Sequence, residues 1–524
     1  MLRSLILSTL FAAAFSTAAE TPNIIIILAD DLGYGDVSAC NPDSKIATPN
    51  IDRIAREGML FTDAHTSSAV CTPTRYSLLT GRYHWRTHLQ KGVLGGFSRP
   101  LISAGSTTLA SLLGQAGYHT ACIGKWHLGM DWQLQDGAVA NDSGNFSQPF
   151  TNASKVDYTK PIQNGPVDRG FDTFYGISAS LDMFPYVWIK DRLPTEIASV
   201  EKAFHRPGPA GPNFEAVDVQ PGITRALVDL IASHRAGSGK PPFFAYVPLA
   251  APHTPILPTA EFQGKSGINA YADFVLQVDA DVGLVLSALD EHGIADDTLI
   301  VFTSDNGCSP AANIPELQAA GHEPSHIFRG HKADIFDGGH RVPFLVRWPG
   351  RVPAGSRCDH LTGQIDFAAT FAELTDRRLS HAEAPDSVSF LPLLLDPAAP
   401  PHRSELIMQS IDGSFTIRDG KWKLNLCPGS GGWSPPRPGR DDATGLPEFQ
   451  LYDMERDPAE SENLATAQPE RVAKMRAALE SAIARGRTTP GPVLGNDAPI
   501  QLIKGHPSPA AKAKAGKGKQ TRQP

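Results

Sequence analysis

Cysteine is scarce in this chain. Six thiols, Cys40, Cys71, Cys122, Cys308, Cys358 and Cys427, are spread over 524 residues. That spacing excludes a disulfide scaffold and a paired Cys-x-x-Cys zinc site. With Cys71 set aside, at most two disulfides can form, and the sequence does not say which. Charge is low as well, 19% of residues with a net of −8, and an acidic chain is not built for nucleic acid. Apolar runs of transmembrane length are missing. The short run Leu5 to Phe15 follows Arg3 and precedes Thr17, Ala18 and Ala19, the pattern of a cleavable export signal over residues 1–19. An uncleaved anchor is the competing reading. The mature chain is expected to be exported, periplasmic or secreted, with no transmembrane anchor. It contains no internal repeat.

Loop chemistry is abundant instead. Gly 47 and Pro 44, with a hydrophobic content of 41%, describe a globular chain with long connections between core elements. The length suits one large domain followed by a smaller one. Short apolar runs recur, each ending in polar residues. "NIIIILA" (23–29) is β-branched and unbroken, reads as a buried parallel strand, and stops at Asp30-Asp31. "YHTACI" (118–123) leads to Gly124-Lys125-Trp126-His127. "PFFAYVPL" (242–249) stops short of His253, and "TLIVFT" (298–303) stops at Ser304-Asp305-Asn306. A fifth run covers Phe344 to Trp348. Helical stretches, such as 108–115 and 271–290, lie between them. The fold class expected is α/β, a large and mostly parallel sheet sandwiched by helices over residues 20–395.

A Pro-rich boundary, "LLLDPAAPPHR" (393–403), follows. Residues 400–500 alternate and turn like an antiparallel sheet and close on a helix near 468–485, a smaller α+β domain. Residues 501–524 carry Lys504, Lys512, Lys514, Lys517, Lys519 and Arg522 with no acid, so the body is more acidic than the net charge indicates. This tail reads as disordered, either solvated or a contact for an acidic polymer. In the polar stretch 131–166, Asn141, Asn145 and Asn152 match the N-glycosylation pattern. A plain Asn/Ser-rich loop gives the same pattern.

Ligands of such sheets sit outside the carboxyl ends of the strands, where the polar residues above all fall. Asp30, Asp31 and Asp305, with Asn306, would gather three carboxylates and an amide oxygen. Like charges ~4 Å apart repel by ~4 kcal/mol at an effective dielectric of ~20. The cluster calls for a cation, and all-oxygen ligands select Ca²⁺ or Mg²⁺ over zinc. Each pair has a plain alternative, a helix cap or turn for Asp30-Asp31 and a hairpin turn for Asp305-Asn306-Gly307. Arg75, Lys125, Lys332, His127 and His253 would give this acidic chain a local cationic pocket, suited to an anionic substrate group.

Cys71 stands in "SSAVCTPTRYSLLTGR" (67–82), in the pattern Cys71-x-Pro73-x-Arg75. Thr72 is a candidate helix cap, Pro73 fits a first turn and Gly81 fits a helix end. Residue 71 then sits at a helix N-terminus, where backbone N–H groups and the dipole favour an anion. A buried, weakly reactive thiol is the alternative.

In order along the chain, "ADDLGYGD" (29–36), "CTPTRYSLLTGR" (71–82), "GYHTACIGKWHLG" (117–129), "GFDTFYG" (170–176), "APHTP" (251–255), "TSDNG" (303–307), "GHKADIFDGGHRVP" (330–343) and "LYDMERDPAESENLA" (451–465) resemble the type I sulfatases of the alkaline phosphatase superfamily, in their arylsulfatase A-like branch. The resemblance implies that Cys71 is oxidised to Cα-formylglycine by a generating enzyme that reads Cys-x-Pro-x-Arg in the unfolded chain. The hydrated aldehyde attacks the sulfur of a sulfate ester, and its second hydroxyl permits release of sulfate.

By motif position, Asp30, Asp31, Asp305 and Asn306 look like Ca²⁺ ligands (Mg²⁺ being the lesser candidate), with residue 71 adding an oxygen. Arg75 and Lys125 would hold the nucleophile, and His127 resembles the base. His253, Lys332 and Lys125 would bind sulfate, the first two also assisting the leaving oxygen. Ser180 in "GISASLD" is a looser match beside the sulfate. The turn holding Asp337-Gly-Gly departs from the more usual Glu-Gly-Gly and stays acidic. The implied activity is hydrolysis of sulfate esters, of aryl sulfates in vitro and a sulfated small molecule or glycan in nature. The alternatives are a phosphonate or phosphate ester hydrolase of the same superfamily and a non-catalytic binder of sulfated polymers.

Overall fold

The computed structural model describes residues 21–141, 155–438 and 445–504. The expected signal segment 1–19, the sequons at 145 and 152, and nearly all of the basic tail lie outside them, as do the two residues that complete the sequon at Asn141. The largest element is a ten-stranded mixed sheet. In spatial order it runs β13 (Ser356–Cys358), β2 (Met59–Phe61), β12 (Phe344–Arg347), β11 (Thr298–Ser304), β1 (Asn23–Ala29), β10 (Phe243–Pro248), β4 (His119–Lys125), β5 (Thr173–Ile177), β6 (Ile189–Lys190) and β7 (Leu193–Pro194). Two short pairs stand apart, β3 (Ala64–His65) with β14 (Thr362–Gly363) and β8 (Val200–Ala203) with β9 (Pro207–Ala210).

The centre, β11-β1-β10-β4-β5, is parallel throughout. The pleat of β1 explains why its sequence is unbroken. Ile24, Ile26 and Leu28 enter one hydrophobic cluster, and Ile25, Ile27 and Ala29 enter the one on the opposite face. Each fully buried isoleucine contributes about 1.5–3 kcal/mol over an exposed one. Helices including Val219–Ser233 and Ala270–Glu291 cover one face, and Leu109–Gln115 and Phe367–Leu374 cover the other.

The run at 344–348, expected to join the parallel set, pairs antiparallel with β11. The intervening segment stays at the carboxyl edge, with Lys332 N–H on the Cys308 carbonyl and Gly307 N–H on the Gly339 carbonyl. No crossover carries the chain to the other end, so β12 must start where β11 finishes. β5, not evident as an apolar run, has Gly176 where a Cβ would lie 1.8 Å from the Gly124 carbonyl oxygen of β4.

The C-terminal part holds the antiparallel sheet β15 (Glu405–Gln409), β16 (Phe415–Asp419), β17 (Trp422–Asn425) and β18 (Gln450–Asp453). The helix Pro469–Arg485 packs Val472, Met475, Leu479 and Ala482 into its core, at helical spacing. Tyr83 and Trp85 from the larger part enter the same core. Ions cross the junction too. Lys423 Nζ of β17 lies 3.1 Å from Asp337 Oδ1 and 3.0 Å from Glu460 Oε1, all three fully buried. Gly338, next to Asp337, puts its carbonyl oxygen 1.8 Å from where a Cβ on Gly307 would lie, so only glycine fits beside Asn306.

Candidate active site

The parallel strands deliver polar side chains to one edge in spatial order. Asp305 and Asn306 follow β11, Asp30 and Asp31 follow β1, and His253 lies beyond β10. Lys125 ends β4 with His127 after it, and Ser180 lies beyond β5. Lys332 arrives from the connection between β11 and β12. Cys71 opens the helix Cys71–Thr80, whose residues are all buried. Thr72 does not cap this helix. It lies in the first turn, its hydroxyl donating to the His127 carbonyl (3.0 Å) and accepting from Leu94 N–H (3.2 Å). The N-cap is Val70, which has no acceptor to offer, while Gly81 closes the helix in the left-handed region (φ 61°) as expected.

All of the sequence-derived site residues meet here. Cys71 Sγ is 3.6 Å from Asp30 Oδ1 and 3.7 Å from Lys332 Nζ. Lys125 Nζ donates to Asp30 Oδ2 (2.5 Å), and Lys332 Nζ donates to both oxygens of Asp31 (2.6 and 2.8 Å). Arg75 donates twice to Asp305 Oδ2, from Nε at 3.1 Å and Nη2 at 2.7 Å. Asp305 Oδ1 accepts from Asp31 N–H (3.2 Å), and Asn306 Nδ2 donates to Asp31 Oδ1 (2.8 Å). The plain hairpin reading of Asp305-Asn306-Gly307 therefore does not hold. Asp31 and His127 both have backbones in the left-handed region (φ 68° and 55°), uncommon for residues with a Cβ.

Burial opposes the charge of Asp30, yet Lys125, His253, Arg75 and Lys332 hold its carboxyl well below the usual range. Burial and the adjacent Asp30 push Asp305 up to about 6, against Arg75. Burial opposes the charge of Lys332, but Asp31 keeps it firmly protonated. Burial, together with Asp305, pushes the Cys71 thiol up, so the unmodified side chain is no thiolate near neutrality. Burial, Lys125 and Arg75 keep His127 neutral. Its Nε2 lies 2.7 Å from the Leu94 carbonyl, so Nε2 carries the proton, and Nδ1 is buried without a partner. His253 Nδ1 contacts the Thr254 carbonyl (2.6 Å) and Ser180 Oγ (3.0 Å), and its Nε2 faces Asp31 Oδ2 at 3.6 Å.

These residues fit a hard cation. Atoms of Asp30, Asp31, Cys71 and His253 lie within 4.8 Å of one another. Asn306 Oδ1 is buried with no hydrogen-bond partner, the kind of orphan acceptor a cation satisfies. The donors are oxygens but for the sulfur and the imidazole, which favours Ca²⁺ or Mg²⁺. All six cysteines are free thiols, so neither possible disulfide forms.

Cys71, His127, His253 and Lys332 of the cluster line a cavity of about 1010 Å³. Among its lining residues, Asp182 and Arg206 were not sequence-derived candidates. Asp182 ends the "GISASLD" segment, is buried, and accepts from Arg206 Nη1 at 2.7 Å, while its Oδ1 has no partner. Burial opposes its charge, but His253 and Arg206 hold its carboxyl down to about 2. Arg206 itself comes from the turn between β8 and β9, and Trp433 stands on the cavity wall. Nothing in the local sequence marks Asp182 and Arg206, because long loops bring them there, whereas Trp433 comes from the Gly/Pro-rich stretch 427–447.

The Sulfatase family model matches residues 22–377. An N-acetylgalactosamine-6-O-sulfatase of Bacteroides thetaiotaomicron is 32% identical over 512 residues, covering 88% of this chain and 93% of that protein. Human arylsulfatase A is 30% identical, covering 96% of each. A solved structure from work on the metabolism of multiple glycosaminoglycans by Bacteroides thetaiotaomicron superposes with a TM-score of 0.75 at 30% identity, over 88% of this chain and 99% of that one.

Proposed function

The chain belongs to the sulfatase family of sulfuric ester hydrolases, and on that premise we propose that it is an exported, calcium-dependent hydrolase of a sulfated carbohydrate whose nucleophile is Cys71 oxidised to formylglycine. The observation that carries this reading is the setting of Cys71. Its Sγ stands in for a nucleophilic oxygen at a helix N-terminus, between Asp30 and the ammonium of Lys332. As a thiol it is held protonated, so the unmodified side chain is a poor nucleophile there. Formylglycine supplies a hydrated aldehyde, one hydroxyl to attack sulfur and a second whose deprotonation releases sulfate. Asp30, Asp31, Asp305 and Asn306 would hold a calcium ion, which would supply positive charge to the oxygens beside it.

The chain's own residues do the rest. Arg75 and Lys125 hold the nucleophile and its developing charge. Neutral His127, with Nε2–H fixed on the Leu94 carbonyl, presents Nδ1 as the base. Lys332 and His253 bind the sulfate oxygens and assist the departing alcohol, with Ser180 orienting the imidazole. Overall, one water and one sulfate ester give an alcohol, sulfate and a proton. The relatives make 6-sulfated N-acetylgalactosamine the first sugar to try. Export rests on the signal pattern at 1–19. Among the described residues, no helix is long and apolar enough to cross a membrane.

The test is the mass of the tryptic peptide Glu57–Arg75 from protein made in its native host. Formylglycine lowers it by the exchange of sulfur and two hydrogens for one oxygen. An intact thiol, or a clear preference for 4-nitrophenyl phosphate or a phenylphosphonate ester over 4-nitrophenyl sulfate, overturns the proposal.

A further inference from the structure

Trp433 is 43% exposed, an unusual place for so large an apolar side chain. It is not there through slackness of its loop. Asp334, fully buried, accepts from Trp433 N–H (2.8 Å), Ser434 N–H (3.0 Å) and Ser434 Oγ (2.6 Å). Ser430 accepts from Ile335 N–H at 2.6 Å. A Cβ on Gly432 would lie 2.4 Å from the Ala333 carbonyl oxygen. The loop is thus seated on residues 333–335, directly after Lys332, and the backbone that carries Trp433 is fixed relative to that residue. Trp433 also lines two cavities, the catalytic one and an adjoining cleft of about 610 Å³ that contains His331 and Arg437. Arg437 has no ion pair among the described residues.

We propose that Trp433 is the platform of a second sugar subsite, so that the substrate is an acidic oligosaccharide of at least two residues. The sulfated ring enters the catalytic cavity, the next ring stacks its C–H face on the indole, and a carboxylate on that ring meets Arg437. A rigid aromatic surface costs little entropy to use, which suits it to a ring that reacts with nothing. Interactions with a non-reacting part of the substrate show first in KM. This inference rests on the sulfatase reading above.

The experiment compares wild type, Trp433→Ala, Trp433→Phe and Arg437→Gln on three substrates: 4-nitrophenyl sulfate, 6-sulfated N-acetylgalactosamine, and its disaccharide with a uronate as the next residue. Wild type should cleave the disaccharide with about ten-fold higher kcat/KM than the monosaccharide. Arg437→Gln, outside the catalytic cavity, should remove most of that advantage through KM and leave 4-nitrophenyl sulfate unaffected; Trp433→Ala should remove as much while losing less on 4-nitrophenyl sulfate than on the disaccharide, and Trp433→Phe should retain much of the advantage. Equal losses on all three substrates, or no disaccharide advantage in wild type, refute the subsite and leave the sulfatase reading standing. If wild type cleaves none of them, that reading fails first, and calorimetry with the desulfated disaccharide decides the subsite. Binding that Trp433→Ala abolishes supports it, and absent or unaltered binding overturns it.

Discussion

Replacing Lys423 by methionine should strand one identifiable carboxylate. Lys423, Asp337 and Glu460 are fully buried where the two sheets meet. Without the ammonium, Asp337 keeps Arg341 Nε at 2.9 Å and His65 Nε2 at 3.4 Å. The Glu460 carboxylate keeps only the Asp337 N–H (2.6 Å) and a long contact from Asn425 Nδ2 (3.4 Å), among the described residues, and it then faces Asp337 uncompensated. Removing one partner of a buried pair costs about 3–5 kcal/mol. That cost must depend on pH.

Burial already raises the Glu460 pKa, Lys423 opposes the rise and Asp337 adds to it. Deleting Lys423 removes the largest opposing influence, so the folded-state value climbs further above the unfolded one. A raised carboxyl pKa costs nothing while both states are protonated. Stability then falls as pH rises from the ordinary carboxylate value, about 4.3, through the folded-state one. Urea unfolding followed by tryptophan fluorescence should show Lys423→Met weakened by about 3–5 kcal/mol at pH 8 and by clearly less at pH 5. A loss below about 1 kcal/mol at pH 8, or the same loss at both pH values, refutes the reasoning. Turnover should fall as well, because the Asp337-Gly338 turn abuts Gly307, beside Asn306.

Burial, Lys125 and Arg75 depress the His127 pKa, so the acid limb of kcat/KM for 4-nitrophenyl sulfate should lie below the ordinary histidine value. His127→Gln should lose about 10²–10⁴-fold in kcat, and an unchanged kcat removes the imidazole from the chemistry. Dialysis against a calcium chelator should abolish activity, and Ca²⁺ should restore it better than Mg²⁺ or Zn²⁺. Indifference to the chelator ends the metal assignment. Folded thiol-form protein should resist a formylglycine-generating enzyme that converts the peptide Glu57–Arg75, since Cys71 is 2% exposed. Equal conversion of both shows that the native site opens.

The convergence of the site was legible because its residues end apolar runs, and parallel strands put those ends on one edge. β1 declared itself because both of its faces are buried, which leaves no polar alternation. β5 did not, since it is short and carries a glycine that answers to the Gly124 carbonyl and not to its own neighbours. The direction of β12 was hidden because composition does not encode polarity. Thr72 looked like a cap because threonine commonly is one, whereas the His127 carbonyl claims its hydroxyl. Asp182 and Arg206 belong to loops, where no period links sequence to position. The left-handed backbones of Asp31 and His127 are set by the tertiary fold, not by residue type.

The strand order also sets a clock. β11 lies in the middle of the sheet, between β12 and β1, although it is made long after residues 71–75. At about 5–20 residues per second, roughly ten to fifty seconds of synthesis separate Arg75 from Ser304. Throughout that interval β1 lacks its neighbour β11, Asp305 is absent, and the helix bearing Cys71 has no finished cavity in which to bury itself. Insertion of β11 and β12 ends the interval. If Cys71 is modified as proposed, the late synthesis of β11 leaves residue 71 outside a finished cavity until more than half of the chain has been made, and the completed sheet then shuts it away.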